Sequence, residues 1–168
     1  MSKYTLTHEI QCDAETFWKI FLDKDFNEKL FREHLGFPKF DIVEFRETDG
    51  SVFRKVAAMP KMEMPGAVAK LLGSSFSYTE EGSMDRKVGV WKWKMTPSAM
   101  PDKIHNEGTV RIEPAGAGKV RRIAEITSEV KIFGVGGLIE STTEKNMRAG
   151  WDASAAFMNK WIASGKAA

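Results

Sequence analysis

Cysteine and long apolar segments are scarce in this chain of 168 residues. Cys12 is the single cysteine, which excludes an internal disulfide bond. No apolar run approaches the roughly 18 residues needed to cross a bilayer, and the N-terminus lacks the charged, apolar and small-residue succession of a signal peptide. We therefore expect a cytoplasmic protein, with peripheral contact at a membrane left open.

An excess of charge of one sign is also absent. The formal net charge is +2 and both signs are spread along the chain, so no basic block indicates a nucleic-acid groove. His34 and His105 lie far apart with no local spacing of metal ligands, and GVGG lacks the Lys and the Ser or Thr of a phosphate-binding loop. We predict no nucleic-acid partner, no metal and no cofactor.

Strand patterns alternate with turn residues along most of the chain. YTLTHEI has the period of a half-buried strand and precedes two helical segments, AETFWKIFLD after a capping Asp13 and DFNEKLFREHLG ending at Gly36. Six more strands are predicted, in the segments FDIVEFRE, SVFRKVAAM, SFSYTEE, KVGVWKWKM, KIHNEGTVRIE and VRRIAEITSEVKIF. The seven strands predict an antiparallel sheet.

The last segment, residues 138–164, has the apolar spacing of one long helix. Ser141 and Glu144 have capping-box spacing, so the helix is expected to be firm from Ser141 onward. We expect a single domain over residues 1–164 and a short flexible tail over residues 165–168.

The predicted connections fall into two kinds when successive turns are assigned to alternate ends of the sheet. TDG, EGSMD and PAGAG are short and polar, and they fall at one end. PKMEMPGAVAKLLGSS (residues 60–75), TPSAMPDK and FGVGG are longer or more apolar, and they fall at the other end. Exposed apolar loops gathered at one end indicate a binding site, and here the opening of an internal space.

Small residues are expected to face that space. Thr143, Gly150 and Ser154 lie on the inner face of the predicted last helix, and Ala124 and Ser128 lie on the inner face of the last strand. Small side chains allow either a close approach of the helix or a cavity. The position of the apolar loops favours a cavity.

The order of the elements, the opening HEIQCDAETFWKIFLDKDF and the start of the last helix, FGVGGLIESTTEKNMRAGW, together resemble the START-like (SRPBCC) superfamily of polyketide cyclases and birch-pollen-allergen proteins. The opening is most similar to a bacterial START-like subgroup defined only as a domain of unknown function, with weaker similarity to VASt lipid-transfer domains. The resemblance implies an α+β helix-grip fold, in which a curved antiparallel sheet wraps around a long C-terminal helix and a hydrophobic tunnel lies between the two. It does not imply one function, because only some members are enzymes.

Twelve inward positions are candidates for the wall of the tunnel: His8, Trp91, Trp93, Met95, Arg122, Ala124, Ile126, Ser128, Met147, Trp151, Ser154 and Met158. His8 can bind a ligand oxygen, act as a base, or be a satisfied core histidine. Arg122 can anchor an anionic group or extend to solvent. Trp91 and Trp93 suit a core as well as a ligand wall. We assign no catalytic residue.

The segment of residues 60–75, which we call the lid segment, can form two helical turns from Gly66 to Leu72. Five of its residues are candidates for contact with a membrane: Met62, Met64, Val68, Leu71 and Leu72. Met100 of the next apolar connection, TPSAMPDK, is a sixth candidate. Flexible methionine side chains and nearby lysines suit transient binding at a bilayer surface. The alternative is a fixed plug at the open end of the sheet.

Two functions follow from these features. The first is a non-catalytic carrier or sensor of a hydrophobic small molecule, such as a lipid or sterol, bound through apolar area. The second is a cyclase or hydrolase acting on a polyketide-like or ester substrate, with His8 or Glu80 as the acid or base. A module that recognises another protein through the apolar loops is a third possibility. The carrier is preferred because no second catalytic partner can be named.

Overall fold

The computed structural model describes residues 1–166 and contains one seven-stranded antiparallel sheet, in the order β1-β7-β6-β5-β4-β3-β2. The strands are β1 Ser2–Ile10, β2 Lys39–Glu47, β3 Ser51–Met59, β4 Tyr78–Asp85, β5 Val90–Pro97, β6 Ile104–Pro114 and β7 Val120–Val130. Every strand from β2 to β7 pairs with its neighbour in the chain, and β1 closes the other edge against β7. The predicted seven-stranded sheet is confirmed.

Four α-helices accompany the sheet: α1 Ala14–Leu22, α2 Lys24–Glu28, α3 Gly66–Leu72 and α4 Gly136–Ala163. Asp13 caps α1 by accepting from the Thr16 amide at 2.8 Å, and Asp23 caps α2 through the Phe26 amide at 2.7 Å. A π-helical stretch, Lys29–His34, continues α2. None of the helices in residues 1–166 combines the length and apolarity needed to span a bilayer.

The long helix α4 begins earlier than its capping-box spacing predicted. It starts at Gly136, and Ser141 lies inside it with its hydroxyl donating to the Leu138 carbonyl. Gly136 allows this early start because an added Cβ would lie 2.6 Å from the Val130 carbonyl oxygen. The expected tail is only partly described, since residues 167 and 168 lie outside the described residues.

The EGSMD segment, expected to be a turn, forms the second half of β4 instead. Its Gly82 faces the interior, where an added Cβ would lie 2.1 Å from the Trp91 ring. The Trp93 ring covers Gly108 of β6 similarly, since an added Cβ there would lie 2.8 Å from that ring. The two indole rings therefore fill the space that these strand glycines leave. The turn itself follows Asp85 at residues 86–89.

The apolar connections gather at one end of the sheet. A compact apolar cluster joins α3, the loop between β5 and β6, the end of β7 and the start of α4, through Val68, Leu72, Ile104, Val130 and Ile139. We call this the mouth end, and the end with the polar turns the closed end. Helix α4 packs on β1 and β7, and a space remains between it and the middle of the sheet.

Candidate functional site

A cavity of about 350 Å³ lies between α4, the inner face of the sheet and the segment from α1 to the π-helical stretch. Its wall is mainly apolar and aromatic, and includes Phe21, Phe26, Leu30, Phe31, Phe37, Leu72, Phe76 and Ile139. Gly150 of α4 lines it, and an added Cβ there would meet no atom within 4 Å. Such a volume and lining are typical of small-molecule sites.

Eight of the twelve predicted wall positions line this cavity: Trp91, Trp93, Met95, Arg122, Met147, Trp151, Ser154 and Met158. Thr143 also lines it. The small residues of the last strand do not: Ala124 and Ser128 are fully buried, as is Ile126, on the part of the sheet that α4 covers. The small residues thus have two roles, since those of α4 leave room and those of β7 allow close packing.

The lid segment divides into buried and exposed positions. Met62 and Leu72 line the cavity, whereas Met64, Val68 and Met100 belong to the apolar cluster at the mouth end. Leu71, expected on the same side of the helix as Val68 and Leu72, is 40% exposed.

Asn146 of α4 fastens the lid segment across the mouth end. Its side-chain amide donates to the Glu63 carbonyl at 3.0 Å, and its Oδ1 accepts from the Glu63 amide at 3.3 Å. A salt bridge between Lys145 and Glu63, at 3.6 Å, joins the same two elements but is exposed. Asn146, which lines the cavity, is a functional candidate that the sequence patterns did not single out.

Arg122 lies at the closed end of the cavity and is only 2% exposed. Its guanidinium donates to the Ser154 hydroxyl at 3.0 Å, the Trp151 carbonyl at 2.9 Å and His8 Nδ1 at 3.1 Å. Desolvation lowers its pKa to about 10, with Asp152 acting in the opposite direction, so it stays charged at neutral pH. It does not extend to solvent.

His8 is not part of the cavity wall. A guanidinium can only donate, so Nδ1 accepts from Arg122 and Nε2 carries the proton that Asp152 accepts at 2.6 Å. Both ring nitrogens are therefore occupied within the protein. This geometry matches the reading of His8 as a satisfied histidine.

The cavity also holds an arginine that the sequence patterns did not single out. Arg54 lies on the inward face of β3 between Val52 and Val56, donates from Nη1 to the Phe21 carbonyl at 3.0 Å, and stacks near Phe21 and Trp91. The signal was present in SVFRKVAAM, because strict alternation places Arg54 with the apolar residues. Glu80 of β4 lines the cavity nearby.

Burial raises the pKa of Glu80, and the positive charge of Arg54 offsets part of that increase. Desolvation likewise lowers the pKa of Arg54. These shifts agree with the position of both groups in an apolar cavity, where the charged form of each group is disfavoured.

Reactive thiol and metal chemistry find no support in the described residues. No group of three or more His, Cys, Asp and Glu side chains in residues 1–166 is arranged to hold a metal ion. Cys12 is buried, and desolvation, with a smaller effect of Asp13, raises its pKa to about 11, so it is a protonated thiol at neutral pH.

The family model that matches this sequence is described as "Protein of unknown function (DUF2505)", and the match covers residues 5–162. A search of curated proteins finds no significant match.

Solved structures similar to this fold include enzymes and a START protein. Zhui aromatase/cyclase from Streptomyces sp. R1128 has a TM-score of 0.68 at 14% identity, covering 96% of this chain and 95% of that one. Norcoclaurine synthase from Thalictrum flavum has a TM-score of 0.59 at 15% identity, covering 96% and 87%. A START superfamily protein from Mycobacterium smegmatis has a TM-score of 0.58 at 14% identity, covering 96% and 97%. The fold is therefore the START-like helix-grip fold.

Proposed function

The chain belongs to the DUF2505 family and has a START-like fold, and we propose that it binds a hydrophobic small molecule in its internal cavity and carries or senses that molecule. The observation that carries this proposal is the unfilled apolar space beside Gly150. Protein interiors are normally close-packed, so an empty space of this size costs stability. A bound apolar ligand would fill the space and recover that cost. Apolar area removed from water supplies the affinity, at roughly 25 cal/mol per Å².

A native mass measurement tests this proposal. Protein purified under mild conditions is expected to carry an added mass that is lost in Gly150→Phe, because the new ring occupies the cavity. Ala156→Phe is the matched control, since Ala156 lies on the exposed face of the same helix. Glycine is a poor helix former, and a single Ala-to-Phe change costs less than about 1 kcal/mol of helix propensity, so neither substitution is expected to unfold α4. Protein that is empty after expression in several hosts, or equal loading of the two variants, would contradict the proposal.

The mouth end is the proposed point of contact with a membrane, which would make the ligand a lipid or another membrane-dissolved molecule. Phe133 is fully exposed, Leu71 and Leu138 are exposed beside the apolar cluster of the mouth end, and Lys61 and Lys70 lie on the lid segment. Apolar tips with adjacent lysines suit weak binding to an anionic bilayer surface.

Vesicle binding separates this contact from ligand binding. Replacing Leu71 and Phe133 by Ser is expected to reduce sedimentation with anionic vesicles while leaving the melting temperature and the bound mass unchanged. Val43→Ser with Phe45→Ser is a control, because both residues are exposed on β2. Unchanged sedimentation of the first variant would remove the membrane from the proposal and leave ligand binding intact.

A second candidate function is catalysis on a ligand in the same cavity. It is favoured by Glu80, a carboxyl group on the cavity wall whose pKa is raised by desolvation, which suits a general acid or base. Among the described residues it has no hydrogen-bonded nucleophile or second carboxylate, so carriage remains the first proposal. Release of an unaltered ligand after incubation would support carriage, and a chemically altered product would support catalysis.

A further inference from the structure

Two oppositely charged groups face an apolar cavity without forming an ion pair. Arg54 and Glu80 both line the cavity and influence each other's pKa, yet none of their nitrogen and oxygen atoms approach within the 4.0 Å of a salt bridge. Both groups sit among aromatic and aliphatic side chains. The space between them is therefore polar on two sides and apolar elsewhere.

Strand register explains the separation. Arg54 lies directly opposite Gly82, and Glu80 lies directly opposite Val56, so the two charged residues are diagonal neighbours on the inner face of β3 and β4. Diagonal positions are about 7–8 Å apart, which long side chains can approach without meeting. Arg54 is also held back, because its Nη1 donates to the Phe21 carbonyl and its guanidinium lies near the Phe21 and Trp91 rings.

The pair retains unused hydrogen-bonding capacity. Within residues 1–166, the Phe21 carbonyl is the acceptor found for the Arg54 side chain, and the side-chain carboxyl of Glu80 has no hydrogen-bond partner. Arg122 at the closed end differs, since its two terminal nitrogens have three acceptors and only its Nε lacks a partner in residues 1–166. Polar groups left without partners in an apolar site are costly, so a ligand that satisfies them gains affinity.

We propose that the cavity recognises its ligand through a hydroxyl group, which accepts a hydrogen bond from Arg54 and donates one to Glu80. The ligand class is an apolar alcohol or phenol. A hydroxyl group is both donor and acceptor, so it matches one cationic donor and one carboxyl acceptor at once. This inference rests on the proposed ligand-binding function and specifies the chemistry of its site.

Charged ligand groups fit the pair less well. A carboxylate can pair with Arg54 but must then face the carboxyl of Glu80, and an ammonium group can pair with Glu80 but must face Arg54. A hydrocarbon leaves both groups unpaired, and an ether leaves the ionised Glu80 carboxylate without a donor. Sites built around a ligand hydroxyl discriminate strongly against analogues that lack it, because the protein groups are then left unpaired.

The test compares probes that share one apolar body. Binding of 2-naphthol, 2-methoxynaphthalene, naphthalene and 2-naphthoate to the wild-type protein is measured by isothermal calorimetry or by quenching of tryptophan fluorescence. We expect 2-naphthol to bind about tenfold or more tightly than 2-methoxynaphthalene, which keeps the acceptor oxygen but cannot donate, a ratio that corresponds to about 1.4 kcal/mol.

Matched variants assign the preference to one residue. Glu80→Leu is expected to bind the two probes with equal affinity and to keep its fold, because the Glu80 side chain makes no hydrogen bond to the protein among the described residues. Glu81→Leu is the control, since Glu81 is the exposed neighbour on the outer face of the same strand and should keep the tenfold preference. Arg54→Met is informative only if its melting temperature stays near wild type, given its link to Phe21.

The outcomes separate this inference from the function on which it rests. Equal binding of 2-naphthol and 2-methoxynaphthalene by the wild type, or an unchanged preference in Glu80→Leu, overturns the hydroxyl site but leaves the cavity as a ligand site. Tightest binding of 2-naphthoate overturns it in favour of an anion site. Failure of all four probes to bind, with no loaded mass in native protein, counts against the proposed function itself.

Discussion

The two ends of α4 are fastened to the rest of the protein by the same device, but to different partners. Asn159, near the closed end, accepts from the Gln11 amide at 2.9 Å and donates to the Glu9 carbonyl at 3.1 Å. Asn146, near the mouth end, makes the same two-way pairing with the backbone of Glu63. Asn159 therefore binds the end of β1, an edge strand of the sheet, whereas Asn146 binds the lid segment, which lies outside the sheet.

Polar groups differ between the ends in the same direction. At the closed end Arg122 has three acceptors, and His8 is bonded at both nitrogens. The side-chain carboxyl of Glu80, near the start of the strand that follows the lid segment, has no hydrogen-bond partner in the described part of the chain. At the closed end His8 and the two terminal nitrogens of Arg122 are thus bonded within the protein, and Arg122 Nε is buried without a partner among residues 1–166. The Glu80 carboxyl, on the mouth side, is a group that a ligand can satisfy. Local opening is expected where fewer contacts must be broken.

The largest expected effect is at the closed end. Trp161 is buried there, with its ring 5.3 Å from the Phe26 ring in an edge-on arrangement, and α4 depends on it for packing against α2. Trp161→Ala is expected to lower the free energy of unfolding by about 3–5 kcal/mol, because a large buried side chain leaves a cavity. Urea denaturation followed by circular dichroism measures this loss.

The matched change at the mouth end is Leu71→Ala, which is expected to alter the free energy of unfolding by less than about 0.5 kcal/mol, since Leu71 is exposed. Similar losses at Trp161 and Leu71 would mean that the two ends do not differ in packing.

A smaller and pH-dependent effect is expected at Glu80. Its pKa in the folded protein is raised above the ordinary 4.5 by desolvation, so folding favours the protonated carboxyl. Stability from this group is therefore present below pH 4.5 and is lost as the pH rises through the folded-state pKa. Glu80→Gln, which stays neutral, is expected to gain stability relative to wild type as the pH increases from 4.5 upward.

Thermal melts of both proteins from pH 4 to 8 measure this difference. Glu81→Gln is the control, because the exposed carboxylate of Glu81 faces outward near Lys55. A constant difference between Glu80→Gln and wild type over the whole range would show that the Glu80 carboxyl is not desolvated in solution.

The sheet and its strands were predictable because alternation is a local property. VWKWKM places Trp91, Trp93 and Met95 inward by period alone, and the structure lines the cavity with all three. Gly82 led to the wrong prediction of a turn at EGSMD, because glycine usually indicates a turn. Here a ring from the neighbouring strand covers the glycine instead. That covering ring belongs to Trp91, which lies opposite Met84 and reaches Gly82 diagonally across the two strands. Local spacing does not reveal such a contact.

The cavity wall was predictable only in part, because it depends on where α4 crosses the sheet. Ala124 and Ser128 have the same inward pattern as the cavity residues, yet α4 packs over their strand and leaves them no open space. Arg54 and Asn146 were missed for a different reason. Each is polar, and its role arises from a partner distant in sequence, Phe21 or Glu63.

The most direct test of the comparison is at the two asparagines. Asn146→Ala removes two hydrogen bonds to the Glu63 backbone and one to the Thr142 carbonyl, and Asn159→Ala removes two hydrogen bonds to backbone groups. Each substitution is expected to lower the free energy of unfolding by about 1–2 kcal/mol. Their effects on ligand exchange should differ. Asn146→Ala releases the lid segment from α4 and is expected to speed dissociation of bound 2-naphthol several-fold in stopped-flow fluorescence, whereas Asn159→Ala loosens β1 and leaves that rate unchanged. Equal acceleration by both variants would mean that general loosening of α4, rather than release of the lid segment, controls access to the cavity.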